Sequence, residues 1–137
     1  MRRSLPTRQL LRVKDLIDAR YAEPLDLRTL AQHAGTSSAH FSRQFSQAFG
    51  EPPHQYLRSR RLERAAALLR STDHSVSDIC RIVGLRSVGS FTTSFGRAFG
   101  VSPTAYRASQ RRGVSDTAIP LCVVRQLTRP RARVSHR

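Results

Sequence analysis

In residues 8–22, RQLLRVKDLIDARYA, the apolar side chains Leu10, Val13, Ile17 and Tyr21 fall about one helical turn apart, with charged residues between them. That spacing predicts an amphipathic helix ended by Pro24. DLRTLAQHAG at 26–35 follows, with Asp26 suited to an N-cap and Gly35 to a stop. Leu27, Leu30, Ala31 and Ala34 share its apolar face. A third helix is predicted over 38–49, where Phe41, Phe45 and Phe49 make one stripe before Gly50. Pro53 stands where a helix begins, and the run to about Thr72 would extend roughly 27 Å at 1.5 Å per residue.

The pattern then restarts. Val76, Ile79, Cys80, Val83 and Gly84 answer Leu27, Leu30, Ala31, Ala34 and Gly35 at an interval of 49 residues. Phe91, Phe95, Phe99, Gly100, Pro103 and Tyr106 answer Phe41, Phe45, Phe49, Gly50, Pro53 and Tyr56 at an interval of 50. The second turn is therefore one residue longer than the first. Ser75 with Asp78 has the spacing of a capping box, and Ser37 and Ser87 are positioned to cap helices 38–49 and 88–99. A last helix is predicted from Pro103 to near Arg112. Beyond Gly113 the helical period is lost, and residues 113–137 read as a disordered, basic tail. The expectation is an all-α fold divided as 1–52, a linker helix at 53–72, 73–112 and the tail.

Each copy reads short helix, glycine turn, longer helix, with the small residues Ala31 and Cys80 where the two helices would cross. That is the layout of a helix-turn-helix, whose second helix enters the major groove of DNA. The phenylalanines would form the inner stripe. The other face offers Ala39, His40, Ser42, Arg43 and Gln47 on the first long helix. On the second it offers Val88, Gly89, Ser90, Thr92, Thr93 and Arg97. Neither face carries an acid, whereas an ordinary solvated helix face mixes acids among its bases.

Composition sharpens this. The 137 residues hold 24 Lys+Arg against 9 Asp+Glu, a net charge of +15, and Lys14 is the sole lysine. Guanidinium forks suit phosphate and guanine, so a polyanionic partner is expected. The tail takes five of the arginines and one acid, leaving 19 bases and 8 acids in residues 1–112. Most of the excess therefore belongs to the helical part.

The string I-x-x-x-V-G-L at 79–85, F-x-x-x-F at 91–95 and F-G-x-S-P-x-x-Y-R at 99–107 resemble the signature of AraC/XylS-type transcription regulators. The stretch GEPPHQYLRSRRLERAAALL at 50–69 resembles that family's linker helix. The resemblance covers about residues 8–112. It implies seven helices, two helix-turn-helix units joined by the linker helix, and two recognition helices in adjacent major grooves one helical turn apart. It further implies base reading by Ala39, Ser42 and Arg43, and by Val88, Gly89, Thr92 and Thr93. Many relatives have arginine where Thr93 stands, so the second helix is expected to read thymine methyls or shape rather than guanine. Phosphate contacts are expected from Ser37, His40 and Gln47, and from Ser87, Ser90 and Arg97. Many relatives have lysine or arginine where Ser46 and Gly96 stand here.

Double-stranded DNA is thus the expected partner, with RNA polymerase a further one. Other readings are a non-sequence-specific nucleic-acid binder or a helical protein-interaction module. An exposed-aromatic RNA or membrane binder fits less well, because the aromatics belong to the presumed core stripe. Catalysis is not expected, since acids and histidines are scattered without metal-ligand or catalytic spacing. No metal, cofactor or membrane span is expected. With two cysteines, Cys80 and Cys122, and no CxxC, the expected setting is the reducing bacterial cytoplasm, at the nucleoid. Met1 precedes the first helix by only a few residues. No effector domain is therefore expected in this chain, which would be a free-standing regulator or a fragment and a monomer on DNA.

Overall fold

The computed structural model describes residues 4–112, so the expected tail at 113–137 lies outside the described residues. Among the described residues there are seven helices and no strand. They are α1 (Thr7–Arg20), α2 (Leu27–His33), α3 (Ser38–Phe49), α4 (Pro53–Ser71), α5 (Val76–Ile82), α6 (Val88–Phe99) and α7 (Pro103–Arg111). The all-α expectation holds, and α3 and α6 begin and end where the phenylalanine pattern places them. Helix α1 stops earlier than its apolar pattern suggests. Pro24 disfavours helical backbone at the residue before it, and the turn is instead closed by Glu23 N–H on the Arg20 carbonyl. The Arg20 guanidinium also grips the Glu23 carboxylate at 2.6 and 2.7 Å.

The chain separates within α4, at Arg58 and Ser59, into two compact units. The first unit buries Leu10, Val13 and Ile17 of α1 with Leu30 and Ala31 of α2, the α3 phenylalanines, and Tyr56 and Leu57 of α4. Phe45 lies 4.6 Å from Phe49 along α3 and 5.8 Å from Tyr56, the pair that joins α3 to α4. Lys14 of α1 sits 5.6 Å from the Tyr56 ring and 5.8 Å from the Phe49 ring. The Tyr56 hydroxyl donates to Asp18 at 2.6 Å, which ties α4 to α1. In the second unit the corresponding rings close a triangle: Phe95 lies 4.3 Å from Phe99 and 5.4 Å from Tyr106, and Phe99 lies 5.4 Å from Tyr106. Around it Ile79, Cys80 and Val83 are fully buried.

Both helix-turn-helix corners close in the same way. Gly35 and Gly84 have φ of 71° and 87°. Gly35 N–H donates to Gln32 and Thr36 N–H to Ala31; Gly84 N–H donates to Arg81 and Leu85 N–H to Cys80. These are paired helix-terminating bonds that need a left-handed residue. A Cβ at Gly35 would meet nothing within 4 Å, so backbone conformation rather than space demands glycine there. In the second corner the Cys80 thiol also donates to the Leu85 carbonyl at 3.4 Å. Burial pushes that thiol's pKa up, so it packs as a small neutral group.

Helix starts are capped from the sequence outward. Asp26 accepts from Thr29 N–H at 2.8 Å, and Ser75 accepts from Asp78 N–H at 3.0 Å. The Thr29 amide holds the Asp26 carboxyl below its ordinary range. A depressed folded-state pKa contributes stability above the unfolded value, and that contribution is lost as pH falls through the folded one. Asp78 is lowered likewise, first by Arg81, with which it pairs, and then by Ser75. Titration of these two carboxylates therefore weakens the starts of α2 and α5 only at acid pH.

Residue 107 does something its repeat partner does not. The Arg107 guanidinium donates to the carbonyls of Leu69 (3.1 Å), Thr72 (3.2 Å) and His74 (2.6 Å), capping the end of α4. The equivalent Leu57 is buried in the first unit's core. Arg107→Met is expected to lower unfolding stability by about 2 kcal/mol, from lost charged hydrogen bonds to half-buried carbonyls, as measured by urea unfolding. Asp26→Asn is expected to flatten the loss of helicity below about pH 4, followed by circular dichroism.

Candidate nucleic-acid interface

The buried stripe decides what α3 and α6 show to solvent. With Phe41, Phe45 and Phe49 turned inward, residues on the opposite arc are left outside. Ala39 and Arg43 are exposed and Ser42 is half-buried; Val88, Gly89 and Thr93 are exposed and Thr92 is half-buried. Within each unit the residues named from the sequence therefore gather on one helix face. Arg43 engages no hydrogen bond or ion pair among the described residues, so its fork is available to a ligand. Val88 keeps 41% of its surface exposed at the start of α6, an apolar side chain on an outward arc.

The N-termini of both helices present donors. Ser37 accepts from His40 N–H and Ser87 from Ser90 N–H, each at 3.2 Å. Helix geometry leaves the N–H groups at Ser38 and Ala39, and at Val88 and Gly89, without intrahelical acceptors. Each serine hydroxyl, already accepting, keeps its own proton to donate. An anion at either end would also meet the positive end of the helix dipole.

Of the six expected phosphate contacts, Ser37, Gln47, Ser87, Ser90 and Arg97 are exposed. His40 is not: only 7% of its surface is accessible. It does not stand on the outer face as expected, because it lies on the flank of α3 where the N-terminal segment arrives, and a buried ring has little surface to offer a phosphate. That flank also holds a residue which the sequence did not single out. Gln44 accepts from Leu5 N–H at 3.2 Å and donates toward the Gln47 carbonyl oxygen at 3.5 Å. No local signal marks Gln44, since its partner is 39 residues away.

Helix α6 carries two glycines within its span, Gly89 and Gly96, seven residues apart on one side. A Cβ at Gly96 would meet nothing within 4 Å, and one at Gly89 would meet only the Ser87 hydroxyl at 3.8 Å. Packing within the protein requires neither. Among the described residues no group of three acidic, histidine or cysteine side chains could hold a metal, and no helix is long and apolar enough to cross a membrane.

A family profile described as a helix-turn-helix domain matches residues 30–109. The DNA-binding domain of AdpA, a global transcriptional factor solved in complex with a target DNA, is 34% identical. That similarity has a TM-score of 0.72 and covers 78% of this chain and 98% of that one. An AraC-type DNA-binding-domain regulator from Chromobacterium violaceum is 30% identical with a TM-score of 0.70, over 76% of this chain and 93% of that one. An HTH-type transcriptional regulator from Staphylococcus aureus is 32% identical over 98 residues, 72% of this chain but 13% of its own length.

Two capped helix-turn-helix units with acid-free outer faces, together with these similarities, place the molecule among sequence-specific DNA-binding proteins. The chain belongs to the helix-turn-helix family of AraC/XylS-type transcription regulators.

Because nothing in the protein occupies the space at Gly96, Gly96→Ala should raise stability by about 1 kcal/mol through helix propensity. Thermal unfolding by circular dichroism checks this.

Proposed function

We propose that this chain regulates transcription by reading two adjacent major-groove segments of one duplex, one with α3 and one with α6. The observation that carries this reading is the duplicated acid-free face opposite a buried phenylalanine stripe. Ala39, Ser42 and Arg43 read bases in the first segment. Arg43 is the dominant contact, gripping guanine O6 and N7 with its fork. Val88, Gly89, Thr92 and Thr93 read the second segment through thymine methyls, short hydrogen bonds and groove shape. Ser37, Gln47, Ser87, Ser90 and Arg97 set the register on phosphates without reading sequence.

The charge of +15 supports strong, salt-sensitive association, and action as a monomer on an asymmetric site is part of the same proposal. The cytoplasm, at the nucleoid, is the setting such a partner implies. RNA polymerase is the natural second partner for a regulator bound at a promoter. No catalytic step belongs to this reading.

Selection of bound sequences from random duplex DNA tests the proposal. The expected result is a bipartite motif with its centres about 10 bp apart, guanine in the half read by α3, and A·T pairs in the other. Arg43→Ala is expected to abolish the guanine preference at a cost of about 1–3 kcal/mol, whereas Thr93→Ala blunts preference only in the second half. The reverse division, or bound sequences without a motif, would overturn the assignment.

A further inference from the structure

We propose that Gln44 is a positioning residue that turns the Gln47 carboxamide so that its NH2 group meets a DNA phosphate. The proposal rests on Gln47 facing the duplex, as in the function proposed above.

The argument starts from a group whose polarity cannot be reversed. The backbone N–H of Leu5 is a donor only, and it lies 3.2 Å from one terminal atom of the Gln44 side chain. That atom must therefore be the carbonyl oxygen, which fixes the remaining Gln44 terminal atom as nitrogen. The Gln44 nitrogen, again a donor only, points to a Gln47 terminal atom 3.5 Å away. A donor at that distance favours oxygen, the atom the structure places there, through a long contact. Gln47 consequently shows its own NH2 to solvent, from an exposed position on α3.

Phosphate oxygens only accept, so the outward face of Gln47 must donate if it is to bind one. A carboxamide left to itself offers either face about equally and gives up rotamer entropy on binding. The relay from Leu5 removes that ambiguity before the DNA arrives, which is preorganisation. It also gives the N-terminal segment a function beyond packing, because its backbone sets the polarity of a side chain on the recognition helix.

The second unit has no such relay. Ser94 and Arg97 stand at the repeat positions of Gln44 and Gln47. An arginine donates from every nitrogen and needs no partner to choose its face. The relay is thus expected only where a neutral amide replaces a cation.

The test is a double-mutant cycle with wild type, Gln44→Met, Gln47→Ala and the double variant. Each is titrated onto a duplex carrying the selected motif and onto an unrelated duplex. Each single substitution is expected to weaken binding about three- to tenfold. The loss should be alike on both duplexes, because a phosphate contact carries no sequence information. The double variant is expected to bind no more weakly than Gln47→Ala, since an unoriented partner cannot matter once Gln47 is gone. A purely structural role for Gln44 would instead weaken Gln47→Ala further, and that result overturns the proposal. Gln47→Ala binding as tightly as wild type also overturns it. Wild type that fails to prefer the selected motif sinks the sequence-reading function, while the cycle on the unrelated duplex still decides the relay.

Discussion

Burial of the phenylalanine stripe is the constraint from which the interface follows. Three rings at i, i+4 and i+8 leave α3 and α6 one rotational setting in which all three are buried, and the observed burial meets it. Once that setting is taken, the opposite arc is outside whatever its residues are. The core therefore sets which arc of each helix faces out without touching it. Tyr56 and Tyr106 complete the arrangement by packing against Phe45 and Phe95 from the following helix. A ring lost from the stripe would free the helix to rotate, and the arc it presents would change with it.

Given two copies of one aiming device, the outer arcs were free to diverge, and they have. Helix α3 presents a long cation at position 43 with neutral amides behind it. Helix α6 presents threonines and glycines, with its cation displaced to Arg97 at the margin. The first arc is built for charged, directional hydrogen bonds. The second has few atoms projecting from it and so leaves the helix backbone more open to a neighbouring surface. Gly96, with empty space where a side chain would sit, fits that second style.

The elements with strong periodicity were legible in the chain itself. The i, i+4, i+8 aromatics and their glycine stops defined α3 and α6 to the residue, because burial and left-handed termination are both local signals. Ser37, Ser75, Ser87 and Asp26 were readable as caps for the same reason. What could not be read was long-range. His40 fits an outward position on a helical wheel, yet it is buried, and a wheel carries no tertiary contacts. Gln44 depends on a backbone amide 39 residues earlier, and Arg107 on carbonyls 33–38 residues earlier. Apolar period and capping chemistry report on neighbours along the chain, so such partners leave no trace in them.

The contrast between Leu57 and Arg107 means that the two halves are no longer interchangeable parts. A chimaera that placed the 38–57 segment where 88–107 stands would keep the phenylalanine stripe and its tyrosine but bring a leucine to the foot of α4. Three carbonyls there would then lose their clamp. The repeat is visible in the interior, but each copy is tied to its own place in the polypeptide, so recombining modules within this scaffold would require exchanging the seam residues as well as the helices.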